Sequence, residues 1–514
     1  MKARGFIYGS IFMVLINFIV RTVDFVYDVM LSKYIGAEGL GLAHMARSVL
    51  MIFIVISSAG IPTAIVRLVA EYKSKNDYFT IKKILRVSFL LALTFGIVFS
   101  LIIGFFGNFI AINIYKNESI IVLIYFLIPA VILLPLTITF RGYYYGLRII
   151  TVPNVSQIIE HVAQLIIVFL MLTLSQPITP IKGALIAICG ISIGEVFDLI
   201  WLTSMLKKTN KRMMNIPYRK KSAFEILKQL FSISAPIALA DVIGVLLRFA
   251  NSIFIPRKLM DIGYSYREAV STLGRISGMA MPLIALTFIV TGAVVTNIVP
   301  NLSENMATKR YHKVKRDITF AFKMTLLAAI PLSIIYLVYA EPLGYYIYED
   351  SQVSYFIRAL SLGSVFLSLE HTFSGILNGL NKQVAATINR LIGLGIQVFC
   401  IYSLIGNPKF GINGFFIGFF LSSITIFLLD SIIIRKKIKL GLDFRDIILK
   451  PILSSFIMLI AIYSSMEILE GFSLGASTKF FLSLGVGGVA YIIMLFITNA
   501  IPKNTVKRLK KGNI

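Results

Sequence analysis

The chain has 514 residues, of which 57% are hydrophobic and 14% charged, and its mean hydropathy is +0.85. No soluble protein of this length has that composition, so the sequence is that of a polytopic membrane protein. Its formal charge of +26 does not point to nucleic acid, because the basic residues sit in short clusters between apolar runs and form no basic face interleaved with aromatics.

Apolar runs of about 20 residues mark fourteen expected transmembrane helices, which makes the fold class all-α. The first six lie near 5–32, 41–68, 87–112, 120–146, 155–175 and 183–206. Six more follow near 229–255, 274–299, 319–340, 355–380, 384–405 and 412–434, and the last two near 451–469 and 479–500. The first run follows Lys2 and Arg4 as a signal peptide would, but it is longer and has no A-x-A site, so it reads as an uncleaved anchor. Pro62, Pro129 and Pro135 are expected to kink the runs 41–68 and 120–146. Cys189 and Cys400 each lie in an apolar run with no second cysteine nearby, which predicts packing residues and neither disulfide nor metal site.

With the N-terminus in the cytoplasm, the inner segments hold 34 of the 50 Lys and Arg residues and the outer loops nine. The nine are Lys33, Lys116, Lys182, Arg257, Lys258, Arg267, Arg275, Lys409 and Lys479. This is the positive-inside pattern, and it predicts a multi-pass plasma-membrane protein with both termini cytoplasmic. The tracts from Lys207 to Lys221 and Arg435-Lys436-Lys437 are also expected to meet anionic lipid.

The chain repeats itself. Phe140-Arg-Gly142-Tyr-Tyr-Tyr-Gly146-Leu147 returns as Phe373-Ser-Gly375-Ile-Leu-Asn-Gly379-Leu380 at an offset of 233, which also places Gln164 on Gln397. Ala59-Gly60 matches Thr291-Gly292 at 232, and Arg21 and Asp24 match Arg248 and Asn251 at 227. Two six-helix lobes in parallel orientation are therefore expected, at 1–206 and 229–434. A basic cytoplasmic linker at 207–228 would join them, and residues 435–514 would add two helices and a basic tail. Parallel repeats of this kind are a transporter design with the substrate near the midplane.

Polar residues inside these runs mark the candidate site, since an ionisable group at bilayer depth costs about 2.5–3.5 kcal/mol on insertion scales. Asn17, Arg21, Asp24 and Asp28 share one stripe of the first helix; His44 and Arg47 lie on the second. Gln157, Glu160, His161 and Gln164 form an i, i+3, i+4, i+7 stripe, followed by Glu195, Asp198, Asp241, Arg248 and Asn251. Substrate-cavity candidates are Arg21, Asp24, Asp28, Arg47, Glu160, Gln164, Arg248 and Asn251; coupling-ion candidates for Na⁺ or H⁺ are Asp24, Glu160 and Asp241. The plainer readings are a private Arg21–Asp24 pair, helix-to-helix contacts for Glu195 and Asp198, and snorkelling for Arg67, Arg141 and Lys323. His44 and His371 read as hydrogen-bonded packing residues. Arginine binds phosphate oxygens bidentately and stays charged in a dry site, so Arg21, Arg47 and Arg248 suit an anionic headgroup such as a pyrophosphate. No Walker, G-x-S-x-G or metal-spaced motif is present, so no enzyme, cofactor or metal is expected.

Gly36-Ala-Glu38-Gly39-Leu-Gly41-Leu, Ala59-Gly60-Ile-Pro62-Thr-Ala-Ile, Leu68-Val-Ala-Glu71 and Arg141-Gly142-Tyr-Tyr-Tyr-Gly146 with Ser156-Gln157-Ile-Ile-Glu160 resemble the stage V sporulation protein B family. The resemblance covers essentially the whole chain. It implies a fourteen-helix, two-lobed exporter that flips a lipid-linked cell-wall precursor for the spore cortex, acting as a monomer among membrane lipids. Arg21-x-x-x-Phe25 with Asp28 is similar to the first-helix pattern of the related peptidoglycan lipid II flippases, with Tyr27 where those tend to have a second arginine. Two alternatives stand beside this. One is a cation-coupled drug exporter of the same architecture. The other is a membrane glycosyl polymerase or ligase, which would need an outer loop carrying acid/base residues, and the sequence shows none.

Overall fold

A computed structural model describes residues 2–58, 60–211, 221–438 and 445–500, and all regular structure among them is helical. The linker from Arg212 to Lys220, the tail 503–514 and Ala59 of the expected repeat lie outside the described residues.

The chain packs as two compact units, Met1–Met279 with Leu394–Gly418, and Ala280–Gly393 with Phe419–Ile514. The first holds α1 (Lys2–Ser58), α2 (Ile61–Ser74), α3 (Tyr78–Phe109), α4 (Ile120–Tyr125), α5 (Ile128–Gly146), α6 (Thr151–Leu174), α7 (Pro180–Lys211), α8 (Ala223–Asp261) and α9 (Tyr266–Gly274). The second holds α10 (Met281–Ile284), α11 (Thr287–Ala307), α12 (Tyr311–Val338), α13 (Ala340–Tyr348) and α14 (Val353–Gly379). The units divide α15 (Gln383–Leu404) and α16 (Asn413–Lys437) between them, and α17 (Lys450–Glu470) and α18 (Ala476–Ile497) complete the second.

By length and hydropathy, eleven helices among the described residues are able to cross a membrane. The count is twelve if Tyr266–Ile284 and Thr287–Ala307, bent by 53°, form one span. The apolar runs predict fourteen. The difference begins in α1 and α2, where Leu15–Ser74 counts once but takes in the larger part of the expected run 5–32 and all of 41–68. At 1.5 Å per residue α1 alone would reach about 86 Å, nearly three bilayer cores. It is broken at Gly36, whose φ of 63° is the left-handed region that glycine adopts at little cost. α8, which carries the expected run 229–255, is not among the eleven. Prolines act at helix starts as well as inside helices. Pro62 and Pro129 stand in the first turns of α2 and α5, where a missing N–H costs nothing, and Pro135 lies inside α5.

The repeat is present in the packing of each unit. In the first, α5 meets α2 through Gly142 and Gly146: a Cβ there would lie 3.2 Å from the Pro62 carbonyl oxygen and 2.7 Å from Val69 Cβ. In the second, α14 meets α11 through Gly375 and Gly379, at 2.6 Å from Val295 Cγ1 and 3.1 Å from Leu302 Cβ. Every residue of the second set is 233 positions after its counterpart. The same offset relates the ring pairs Phe89–Phe140, 5.8 Å between centroids, and Phe322–Phe373, 5.4 Å. Lipid tails are as apolar as leucine, so close backbone approach at small residues is what holds such helices together.

Candidate functional site

The polar stripe of α6 is divided among three neighbours. Glu160 turns to α5 and α7, His161 to α1, and Gln164 packs over Gly190 and Gly194 of α7 beside the Tyr27 hydroxyl. The α7 glycines permit this: a Cβ at Gly190 would sit 2.3 Å from Val168 Cγ2 of α6. Asp24 Oδ1 lies 2.7 Å from His161 Nδ1, an ion pair when the imidazole is protonated and a hydrogen bond when it is neutral. Asp24 thus faces His161 and not Arg21, which replaces the private Arg21–Asp24 pair with a contact between helices. Arg21 is exposed on α1.

The densest charge in the first unit lies one helix away. Arg141 Nη2 of α5 donates to Glu160 Oε2 and, at 2.6 Å, to Asp198 Oδ2. One turn earlier, Thr137 Oγ1 donates to Glu195 Oε2 at 2.6 Å. Glu195 and Asp198 are 1% and 0% exposed, on adjacent turns of α7. Arg141 therefore does not snorkel. Its guanidinium ties α5 to α6 and α7, with three carboxylates around one cation. Desolvation of such a group offsets most of its Coulombic gain, so it is weak evidence for stability and stronger evidence for a specific arrangement.

A hydroxyl node joins α1 to α8. Tyr115 Oη lies 2.9 Å from Ser48 Oγ and 3.1 Å from Ser252 Oγ, the two serines are 2.8 Å apart, and the tyrosine also donates to the Met45 carbonyl at 3.0 Å. This sets the segment around Arg47 of α1 against the segment around Asn251 of α8. Arg47 is exposed, and its charge acts on Asp28 and Tyr27 of the other arm of α1 and on His44. Arg248 is exposed one turn before Ser252, and the buried Asn251 Oδ1 makes no hydrogen bond among the described residues. Asp241 lies about 16 Å further along α8 by helix rise, away from this node. Nothing in the sequence marks Ser48, Tyr115 or Ser252, since isolated hydroxyls in apolar helices carry no pattern.

The second unit holds a carboxylate with neutral donors. Asp430 of α16, 0% exposed, accepts from Ser374 Oγ of α14 and Asn389 Nδ2 of α15, both at 2.7 Å. His371 Nδ1 is 3.0 Å from Thr291 Oγ1 and its ring is 4.8 Å from Phe288, the packing role expected of it.

Comparison with known proteins gives a consistent assignment. The polysaccharide biosynthesis protein family profile matches residues 6–306, and the MatE profile matches 268–403. The chain is 25% identical to stage V sporulation protein B of Bacillus subtilis over 99% of this chain and 98% of that protein. It is 21% identical to the lipid II flippase MurJ of the same organism, over 76% of this chain and 75% of that one. A solved structure of the lipid II flippase MurJ, in an inward closed conformation, shares the fold with a TM-score of 0.69, 17% identity and coverage of 95% of this chain and 98% of that one. The resemblance read from the motifs is borne out. The chain belongs to the polysaccharide biosynthesis protein family.

Proposed function

We propose that this member of the polysaccharide biosynthesis protein family is a flippase. Its substrate is a lipid-linked cell-wall precursor, a polyprenyl-pyrophosphate sugar of the lipid II kind, moved across the plasma membrane by alternating access for spore-cortex peptidoglycan. The observation that carries this reading is the end-to-end similarity to stage V sporulation protein B. The chain is a transporter and not an enzyme. It acts as a monomer with both termini in the cytoplasm, and its repeats at 1–206 and 229–434 are joined by the basic linker 207–228 and followed by the accessory segment 435–514.

Arg21, Arg47 and Arg248 are assigned to the pyrophosphate, with Asp24, Asp28, Gln164 and Asn251 shaping the field around it. Exposure of Arg21 and Arg47 within otherwise apolar helices supports this, because an unburied guanidinium in such a helix needs water or an anionic ligand. Coupling is assigned to Glu160, Asp24 and Asp241. Two carboxylates in excess of one arginine around Glu160 would draw in a bound H⁺ or Na⁺ to offset part of their charge.

The MatE match gives the drug-exporter reading a specific footing, and one assay separates the two. Purified protein in proteoliposomes is expected to translocate polyprenyl-pyrophosphate sugars. Arg21→Ala should abolish this with insertion intact, and Arg21→Lys should impair it through loss of the bidentate fork. Efflux of organic cations with equal inactivity on every lipid-linked sugar would overturn the flippase reading.

A further inference from the structure

The positive-inside pattern leaves only nine basic residues for the outer loops, yet three of them converge on one cavity of the first unit. Lys116, Arg257 and Lys258 line a space of about 430 Å³ together with Asp261, Phe254 and Tyr402. That volume is within the range of small-ligand sites, about 300–1,000 Å³. Lys116 stands at the turn between α3 and α4, Arg257 and Lys258 in the last turns of α8, and Tyr402 near the end of α15.

Two of the three cations are held in place by their neighbours, and Lys116 is exposed. Arg257 Nη2 donates to the Asn113 carbonyl at 2.9 Å, which fixes the guanidinium at the cavity wall. Lys258 Nζ lies 4.6 Å from the Tyr402 ring centroid and 3.0 Å from Asp261 Oδ2, and Asp261 is 56% exposed, so that pair is weak and readily reorganised. Phe254 packs on Tyr402 with centroids 5.4 Å apart and walls one side with apolar surface, which strengthens polar contacts beside it. Three cations face a single carboxylate.

We propose that this cavity binds a phosphate or pyrophosphate anion, with Arg257 as the bidentate anchor and Lys116 and Lys258 as flanking charges. Two sources share that chemistry: the pyrophosphate of a lipid-linked sugar on the outer face, which rests on the flippase reading, and free inorganic pyrophosphate, which does not. The first would make the cavity a waiting position for the headgroup after translocation.

The test uses the full-length protein in lipid nanodiscs, titrated with inorganic pyrophosphate by calorimetry. Saturable binding is expected, with Arg257→Gln weakening it about tenfold or more and Arg257→Lys recovering part of the loss. Should Arg257→Gln misfold for want of its bond to Asn113, the double variant Lys116→Gln/Lys258→Gln removes charge without that bond and should weaken binding as much. No saturable binding by the wild type, or unchanged affinity in folded variants, overturns the proposal. Translocation assayed in parallel identifies the source. Loss of both binding and translocation supports the lipid headgroup; loss of binding with normal translocation supports the free anion. A wild type that binds pyrophosphate and flips nothing would keep the site and refute the flippase reading.

Discussion

Asp198 and Asp430 stand 232 residues apart in the sequence, and each is wholly buried, one on α7 and the other on α16. Asp430 is held by a hydroxyl and an amide, Ser374 and Asn389. Asp198 is held by Arg141, which is the counterpart of Ser374 at the 233 offset. Around it the first unit adds Glu160 and Glu195, where the second has Gly393 and Phe427. In the second unit two neutral donors hold the aspartate across three helices, and Glu370 of α14 is a second carboxylate beside it. The first unit instead bonds an arginine directly to its aspartate and gathers two glutamates around it, and this charge is where the proposed ion coupling is concentrated.

The largest expected effect breaks this contrast directly. Arg141→Ala strands buried carboxylates and should cost about 3–5 kcal/mol, whereas Ser374→Ala removes one neutral donor and should cost about 1–3 kcal/mol. Thermal unfolding of the purified variants in one detergent measures both, and equal losses would mean that the two clusters are the same device. Next come the aspartates themselves. Asp198→Asn removes a charge-assisted bond and should cost about 1.5–3 kcal/mol. Asp430→Asn should cost about 1 kcal/mol, because the amide oxygen still accepts from Asn389 and the new NH₂ can donate to the serine oxygen. The helix crossings offer a third comparison, in which Gly146→Ala presses Cβ to 2.7 Å from Val69 Cβ and Gly379→Ala meets Leu302 Cβ at 3.1 Å. Overpacking of about 1–3 kcal/mol is expected at Gly146 and less at Gly379. The order should reverse for Gly142 and Gly375, where the closer contact, 2.6 Å, is in the second unit.

Much of this architecture is legible in the amino-acid sequence alone. The offset of 233 locates the glycines at both helix crossings, because only a residue without Cβ tolerates that approach, and the requirement is local to the motif. The aspartate pair is hidden because it falls at 232 and has unlike partners, so neither spacing nor identity advertises it. Arg141 reads as a snorkelling residue, since hydropathy gives its depth along α5 and nothing of the carboxylates that α6 and α7 bring to it. Gly36 is a case of a different kind. Periodicity shows two apolar runs with a break between them, but a loop and a kink in continuous helix look alike until the backbone angle is known.

The smallest expected change in stability carries the sharpest functional test. In Glu195→Gln the side-chain oxygen still accepts from Thr137 Oγ1, so the hydrogen bond that orients the residue survives. What disappears is one of three carboxylates around a single guanidinium, and like charges in a dry site repel strongly. Stability should therefore shift little, whereas a coupling site that needs this charge to draw in H⁺ or Na⁺ should lose its response to the ion gradient. Translocation in proteoliposomes with and without an imposed pH or sodium gradient reads this out. The corresponding change in the second unit, Asp430→Asn, should leave the gradient response intact. If the two variants behave alike, the charge in the first unit is structural and coupling resides elsewhere.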